Sequence, residues 1–489
     1  MRGTNVKIAL LITALLAYSL AFQGSRGLWE QDEGRYTNIA LRMLETGDFI
    51  VPSFNDEVPH FAKPPLTYWA VAGGIALLGW NEWGARLPNA LAFVATILTV
   101  LAIAKRMMPE RAWLPPLMYA TFLFPFSASN VVTTDTLLTL WEALAVLGFV
   151  LWWQGGEVPG RSPALTVMWG GFGLAFLTKG PPGLLPLVAI MVFVVLAKGW
   201  RTLAGLFSLA GMVLFLVVGF GWFLLVVITH PGLMHYFVKD EFVNRIASGA
   251  HHRNPQWYKP FVIYIPVILF GTIPWTFPLL RALRLIPATV LSRPWWKAKL
   301  KGDQWPVFLF LWIMLPLVVF FLSRSRLPLY ILPLFVPLAL LIGRLAGIHR
   351  RRNAVFVCLL AAWIVMLPFL KLAGSLYPFP KDSRAMARSI RETIQPLPGE
   401  VVFVDTAPFW GLNLYLRCEV EQVSTRAEEG RRTPFHETLA EELSEKEPGT
   451  LFIVKRPDVE RVIAICRKQG LNARVRGEHG VWYFITLNR

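Results

Sequence analysis

Apolar residues in this chain come in long unbroken runs, with little of the alternation of a half-buried sheet. Eleven runs stand out, at roughly 7–24, 88–104, 112–129, 136–153, 164–178, 182–197, 203–229, 261–280, 305–322, 328–343 and 354–373. Each is near the length a helix needs to cross a hydrocarbon core of about 30 Å, so each predicts a membrane span. Residues 64–80 are also apolar, but Pro64, Pro65, Gly73 and Gly74 interrupt them and Lys63 and Glu82 border them. That pattern predicts a helix lying along the interface. After Tyr377-Pro378-Phe379-Pro380 the pattern changes to that of a water-soluble domain. Residues 401–404, 451–454 and 481–487 read as strands and 458–469 as a helix. The predicted fold is a polytopic α-helical membrane domain over 1–377, followed by a small α/β domain over 378–489.

Composition agrees. Of 489 residues, 55% are hydrophobic and only 16% charged, unlike a soluble protein of this length. The net charge of +17 first suggests an anionic partner. Its placement gives a simpler cause. Basic residues gather in short loops between the runs: Arg2 and Lys7; Lys105, Arg106 and Arg111; Lys198 and Arg201; 281–301; Arg344 and 350–352. Such loops stay in the cytoplasm beside anionic headgroups, so no nucleic-acid partner is implied. With the first run kept as an uncleaved helix and the N-terminus inside, the remaining loops and the 378–489 domain fall outside the cytoplasm. That is the arrangement of an inner-membrane protein with an extracytoplasmic site. Cys418 and Cys466 are a candidate disulfide pair.

The external loops hold the candidate chemistry. The first begins Leu28-Trp29-Glu30-Gln31-Asp32-Glu33-Gly34-Arg35-Tyr36 and ends near Phe61-Ala62-Lys63-Pro64-Pro65. Adjacent acids beyond a span end suit solvated interface positions as well as catalysis. Asp135 and Lys179, however, fall on the same side at span ends, where ionisable groups are costly and usually paired or functional. Asp135 also suits a helix N-cap, Lys63 a snorkelling position and Lys179 a topological anchor. As functional residues, Lys63 and Arg326 are candidate phosphate ligands. His251 and His252 invite a zinc reading, although adjacent histidines on a regular element do not point one way.

Several motifs in register carry a resemblance: LWEQDEGRYTNIALRMLETGDFIVPSFN, FAKPPLTYW, RLPNALA, LTKGPPGLLP, HYFVKDEFVNRIASGAHHRNPQWY, YIPVILFGTIPW and SRSRLPLYILP. Over roughly residues 7–345 the chain resembles the aminoarabinose transferase (ArnT) and protein-mannosyltransferase-like families. The resemblance implies a GT-C glycosyltransferase bundle that takes a sugar from a polyprenyl-phosphate donor and inverts its configuration. It gives Asp32 the catalytic centre with Glu33 beside it, and places the family's second acid at Asp135. Lys63 and Tyr330 fall on the family's lipid-phosphate contacts. Arg35, Tyr36, Lys179, Arg253 and Arg326 join them as substrate-binding candidates. In ArnT proteins a glutamate precedes the lysine and shares a zinc site with histidines of the later loop. Ala62 stands there in this chain, with His251 and His252 in the matching loop, so a divalent metal such as zinc is a candidate cofactor rather than an assigned one.

The expected chemistry is transfer to a lipid, glycan or protein acceptor, with Asp32 as base and Lys63 beside the departing phosphate, helped by Arg253 and Arg326. A transporter or flippase of a lipid-linked anionic solute is the rival. It predicts opposed repeats or charges at mid-membrane. No repeat is visible in the sequence, and the ionisable residues named above lie at span ends.

Overall fold

The computed structural model describes residues 2–56, 58–155, 162–235, 237, 254–284, 292–345, 354–425, 438–445 and 449–488. The chain divides into two compact units. One comprises Met1–Phe22, Ala62–Thr67 and Pro88–Lys371; the other comprises Gln23–Phe61, Tyr68–Leu87 and Leu372–Arg489. The unit that contains 378–489 therefore also takes in most of the first polar loop.

All eleven predicted spans are helical. Seven described helical stretches are long and apolar enough to cross a membrane: Glu82–Met107, Thr134–Gly155, Pro181–Lys198, Leu209–Thr229, Trp305–Leu322, Pro328–Leu345 and Ala354–Leu376. Lys259–Gly271 and Thr276–Arg284 would make an eighth as one span, but are bent by 112° at the break. The chain is a multi-pass membrane protein. The other predicted spans are shorter or broken. The run 112–129 is two helices, Leu114–Thr121 and Leu123–Ala128, interrupted where Phe122 turns extended. Leu66–Leu78 is helical but short, as predicted for 64–80. The buried centre of the bundle is aromatic and aliphatic, with Phe93, Phe149, Phe172, Phe193, Trp312 and Phe335 fully or almost fully enclosed.

In the second unit, helix α1 (Asp32–Thr46) follows the first span. Its acids Asp32 and Glu33 occupy the first turn, where the helix dipole favours negative charge. Tyr36, Ile39, Ala40 and Met43 form its buried face. Gly47 ends it at φ 72°, its N–H donating to the Met43 carbonyl at 3.0 Å.

The C-terminal sheet has five strands: β1 (Glu400–Val404), β2 (Glu419–Val423), β3 (Thr450–Lys455), β4 (Asn472–His479) and β5 (Trp482–Asn488), in the order β2-β1-β3-β5-β4. Strands β2, β1 and β3 are parallel; β5 is antiparallel to both β3 and β4. Val401 and Phe403 pack on one face with Met386 and Ile390. Val402 and Val404 pack on the other with Val462 and Cys466. The alternation puts Cys418 and Cys466 in opposite layers, and both are free thiols, which removes the candidate disulfide. The two strands the sequence pattern did not mark, β2 and β4, are the edges. Charged residues interrupt both, and β4 is bulged between Val475 and Gly477.

Candidate active site

Within the second unit the adjacent acids of α1 have different surroundings. Glu33 is buried, and its carboxylate accepts from Arg86 Nε at 2.9 Å, Arg86 Nη2 at 3.0 Å and the Trp29 N–H at 3.0 Å, and pairs with Arg26. Arg86 is fully enclosed and also donates to the carbonyls of Gln23, Arg26 and Gly27 at 2.7–3.0 Å. Burial alone would raise the Glu33 carboxyl. The Arg26 and Arg86 guanidiniums outweigh it and hold the group at about 2.

Asp32 stays open, with its side chain 42% exposed. Arg35, one turn along, reaches Asp32 Oδ1 at 2.5 Å, and its guanidinium lies 5.4 Å from the Tyr36 ring centroid. The Tyr36 and Tyr68 rings are 5.5 Å apart. Arg35 Nε and the Tyr68 hydroxyl are both buried without a hydrogen-bond partner. Unsatisfied buried polar groups are rare and costly, so two of them near one open carboxylate mark a place where a polar ligand is expected.

Glu30 is a second enclosed carboxyl. Burial pushes it up to about 8, although the Ser383 hydroxyl and the Gly411 N–H donate to it. The same stretch pairs with the C-terminal domain. The Glu30 N–H donates to the Lys381 carbonyl and the Ser383 N–H to the Leu28 carbonyl, both at 2.9 Å. Phe54 stacks on Trp410 at 4.4 Å between centroids, and Asn413 Nδ2 donates to Asn38 Oδ1 at 3.0 Å.

The membrane unit holds its own polar group. Lys179, at the end of the helix Pro163–Lys179, pairs with Asp135 Oδ1 and stands 4.6 Å from the Tyr330 ring centroid. Asp135 lies in the first turn of Thr134–Gly155 and is buried. Arg326, also buried, donates to the carbonyls of Asn254, Gln256 and Phe321 at 2.9–3.0 Å, which ties 254–256 to the end of Trp305–Leu322. Lys63 is half-buried just before the buried Pro64 and Pro65. His251, His252 and Arg253 lie outside the described residues, and with them the zinc reading. Among the described residues, Glu400, Glu421 and Glu442 have carboxylate oxygens within 4.8 Å of one another. That all-oxygen set is unlike a zinc site.

The structure thus gathers Asp32, Glu33, Arg35 and Tyr36 in one unit, and Asp135, Lys179 and Tyr330 in the other. Sequence reasoning did not single out Arg26, Arg86, Glu30 or Tyr68. Arg86 opens the RLPNALA motif and Tyr68 ends the KPPLTY stretch, so position in a motif was the available signal. It also passed over two buried ionisable residues within spans, Glu142 and Lys371. Lys371 donates to the Ser19 carbonyl at 2.5 Å and lies over the Phe126 ring.

A family model described as dolichyl-phosphate-mannose-protein mannosyltransferase matches residues 62–223. An undecaprenyl phosphate-alpha-4-amino-4-deoxy-L-arabinose arabinosyl transferase 2 from Sodalis glossinidius is 34% identical over 355 residues, covering 71% of this chain and 60% of that protein. The like-named transferase of an Enterobacter species is 27% identical, covering 84% of this chain and 74% of that one. The chain therefore spans about three fifths of the length of the first relative. In fold it matches the crystal structure of ArnT from Cupriavidus metallidurans bound to undecaprenyl phosphate, with a TM-score of 0.75 at 21% identity over 99% of this chain and 98% of that one.

Proposed function

We propose that this chain, which is similar to the ArnT transferases in sequence and shares their fold, moves a sugar from a polyprenyl-phosphate donor to an acceptor at the membrane surface. The observation that carries this reading is the split between two neighbouring acids: Glu33 is closed by two guanidiniums while Asp32 remains open. One acid anchors and the other is free to work.

The donor explains the membrane bundle. At about 0.8 kcal/mol per buried CH₂, a polyprenyl tail does not leave the bilayer, so the enzyme meets its substrate there. The acceptor hydroxyl oxygen attacks the anomeric carbon, the bond from that carbon to the phosphate oxygen breaks, and the acceptor's proton passes to Asp32. The configuration inverts, as with a carboxylate base opposite the leaving group. Where the acceptor is itself an anionic phosphate, Asp32 orients it instead. Charge grows on the departing polyprenyl phosphate, and preplaced cations speed its loss. Lys63 takes that role. Lys179, held against Asp135 and Tyr330, is a second cation for the donor. Arg35 Nε and the Tyr68 hydroxyl, both without partners, suit sugar or acceptor oxygens.

The short basic loops support an inner-membrane location with the N-terminus in the cytoplasm and the first loop outside. The names of the relatives favour undecaprenyl phosphate as carrier and aminoarabinose as sugar, and the motif resemblance adds a lipid such as lipid A as acceptor. The test is transfer of radiolabelled sugar from an undecaprenyl-phosphate donor in proteoliposomes, run beside uptake of the same label. Transfer that Asp32→Asn and Lys63→Ala abolish, with both variants still inserted in the membrane, supports the reading. Uptake without transfer replaces it with a transporter.

A further inference from the structure

Glu30 is held more closely than a loop carboxyl needs to be. It is 8% exposed and, among the described residues, makes no ion pair. One oxygen, Oε1, takes both donors: the Ser383 hydroxyl at 2.6 Å and the Gly411 N–H at 2.7 Å. The other, Oε2, is buried without a partner. Two glycines make the room. A Cβ on Gly34, in the first turn of α1, would lie 1.9 Å from Oε1 and 2.4 Å from Oε2. A Cβ on Gly411 would lie 2.9 Å from Oε1 and 2.7 Å from Ser383 Oγ. The carboxyl therefore fills a slot between the helix that starts at Asp32 and the C-terminal domain.

That helix start lacks its ordinary restraint. Gln31, at the N-cap position, makes no side-chain capping bond. The direction of Asp32 then depends on what holds the chain on either side. Glu33 fixes one flank through Arg26, Arg86 and the Trp29 N–H. Glu30 fixes the other.

We propose that Glu30 is a positioning residue: by locking Gly34 of α1 against Ser383 and Gly411, it sets the direction in which the first turn presents Asp32. This makes the C-terminal domain part of the catalytic apparatus through Ser383 and Gly411. The upward shift of the Glu30 carboxyl agrees with a group held mainly as the neutral acid. The inference rests on Asp32 being the base. A misplacement of the order of 1 Å costs up to about 100-fold in rate, which sets the effect to look for.

The test is steady-state transfer from undecaprenyl-phosphate-linked aminoarabinose to lipid A, per monodisperse molecule in detergent. Glu30→Ala is expected to lower kcat by roughly 10- to 100-fold with donor KM within about 3-fold. Glu30→Gln, which keeps an oxygen for both donors, should recover kcat to within about 3-fold of wild type. Gly34→Ala should reproduce the Glu30→Ala loss and add nothing in the Glu30→Ala background, where the slot is empty. If Glu30→Ala does not yield monodisperse protein, Ser383→Ala reads the same split with a smaller loss. Unchanged kcat in the folded variants, or a loss confined to KM, overturns the proposal. Asp32→Asn run alongside separates the two readings. If it is inactive while Glu30→Ala is not, only the positioning role falls; if it keeps full activity, both fall.

Discussion

Arg86 meets the Glu33 carboxylate as a two-pronged fork, with Nε 2.9 Å from Oε1 and Nη2 3.0 Å from Oε2. The pair is enclosed, and the rest of the guanidinium is taken up by the carbonyls of Gln23, Arg26 and Gly27. Removing one side of such a pair leaves an uncompensated buried charge, which costs about 3–5 kcal/mol. Glu33→Gln, which leaves the buried Arg26 and Arg86 guanidiniums without their shared carboxylate, should therefore lower the thermal midpoint of the detergent-solubilised protein sharply, and Arg86→Ala, after which Arg26 still faces Glu33, less so. Acid should matter too. The folded carboxyl sits at about 2, below its ordinary 4.5. Its ionisation contributes stability in full above 4.5, and that contribution fades as pH falls toward 2. The midpoint of Glu33→Gln should fall less steeply over that window.

Asp32 is predicted to act on rate and not on folding. General-base contributions are about 10²- to 10⁴-fold. Asp32→Asn should lose kcat on that scale, while its thermal midpoint and elution profile match wild type. Its side chain is partly open and, among the described residues, bonded through Arg35, one turn along, so little packing is lost.

Glu30 gives the opposite pH signature to Glu33. Its folded carboxyl is raised to about 8 from an ordinary 4.5, with burial as the main cause. Between those values the folded protein keeps a proton that the unfolded chain has released. Stability from this group therefore falls as pH rises from 4.5 to 8 and levels beyond. Glu30→Gln should lack that slope, so its midpoint should gain on wild type as pH is raised through the window.

Asp135 and Lys179 are in contact, so their replacement should not be additive. Asp135→Asn and Lys179→Met, singly and together, form a cycle whose coupling in transfer activity should be about 0.5–3 kcal/mol. Coupling near zero would separate the two residues in function. Tyr330→Leu, which removes the ring beneath the Lys179 ammonium, should weaken donor binding more than it lowers kcat.

Much of this was legible in the sequence because membrane helices declare themselves by length. Every predicted span is helical in whole or in pieces, and runs such as 305–322 match to the residue because nothing polar interrupts them. The breaks were not legible. Phe122, which splits 112–129, is apolar like its neighbours, and the interruption is a backbone turn. In the C-terminal domain the central strands β1 and β3 were visible as unbroken apolar runs, while the charged edges β2 and β4 were not. The acids of the first loop were visible as a motif. Their division of labour was not, because Asp32 and Glu33 are adjacent and of like charge, and only the three-dimensional arrival of Arg26 and Arg86 separates them. Glu30 looked like one more loop acid, since its partners Ser383 and Gly411 lie 353 and 381 residues away.

Those separations also order events in time. The segment bearing Asp32 leaves the ribosome long before Ser383 and Gly411 have been made, and most of the bundle is synthesised in between. The nascent chain must carry an exposed, half-tethered acidic loop through the insertion of every later span. Until the last domain folds, that loop has neither its slot for Glu30 nor the stacking of Trp410 on Phe54. An incompletely synthesised copy therefore lacks every contact that Ser383, Gly411 and Trp410 bring to the first loop.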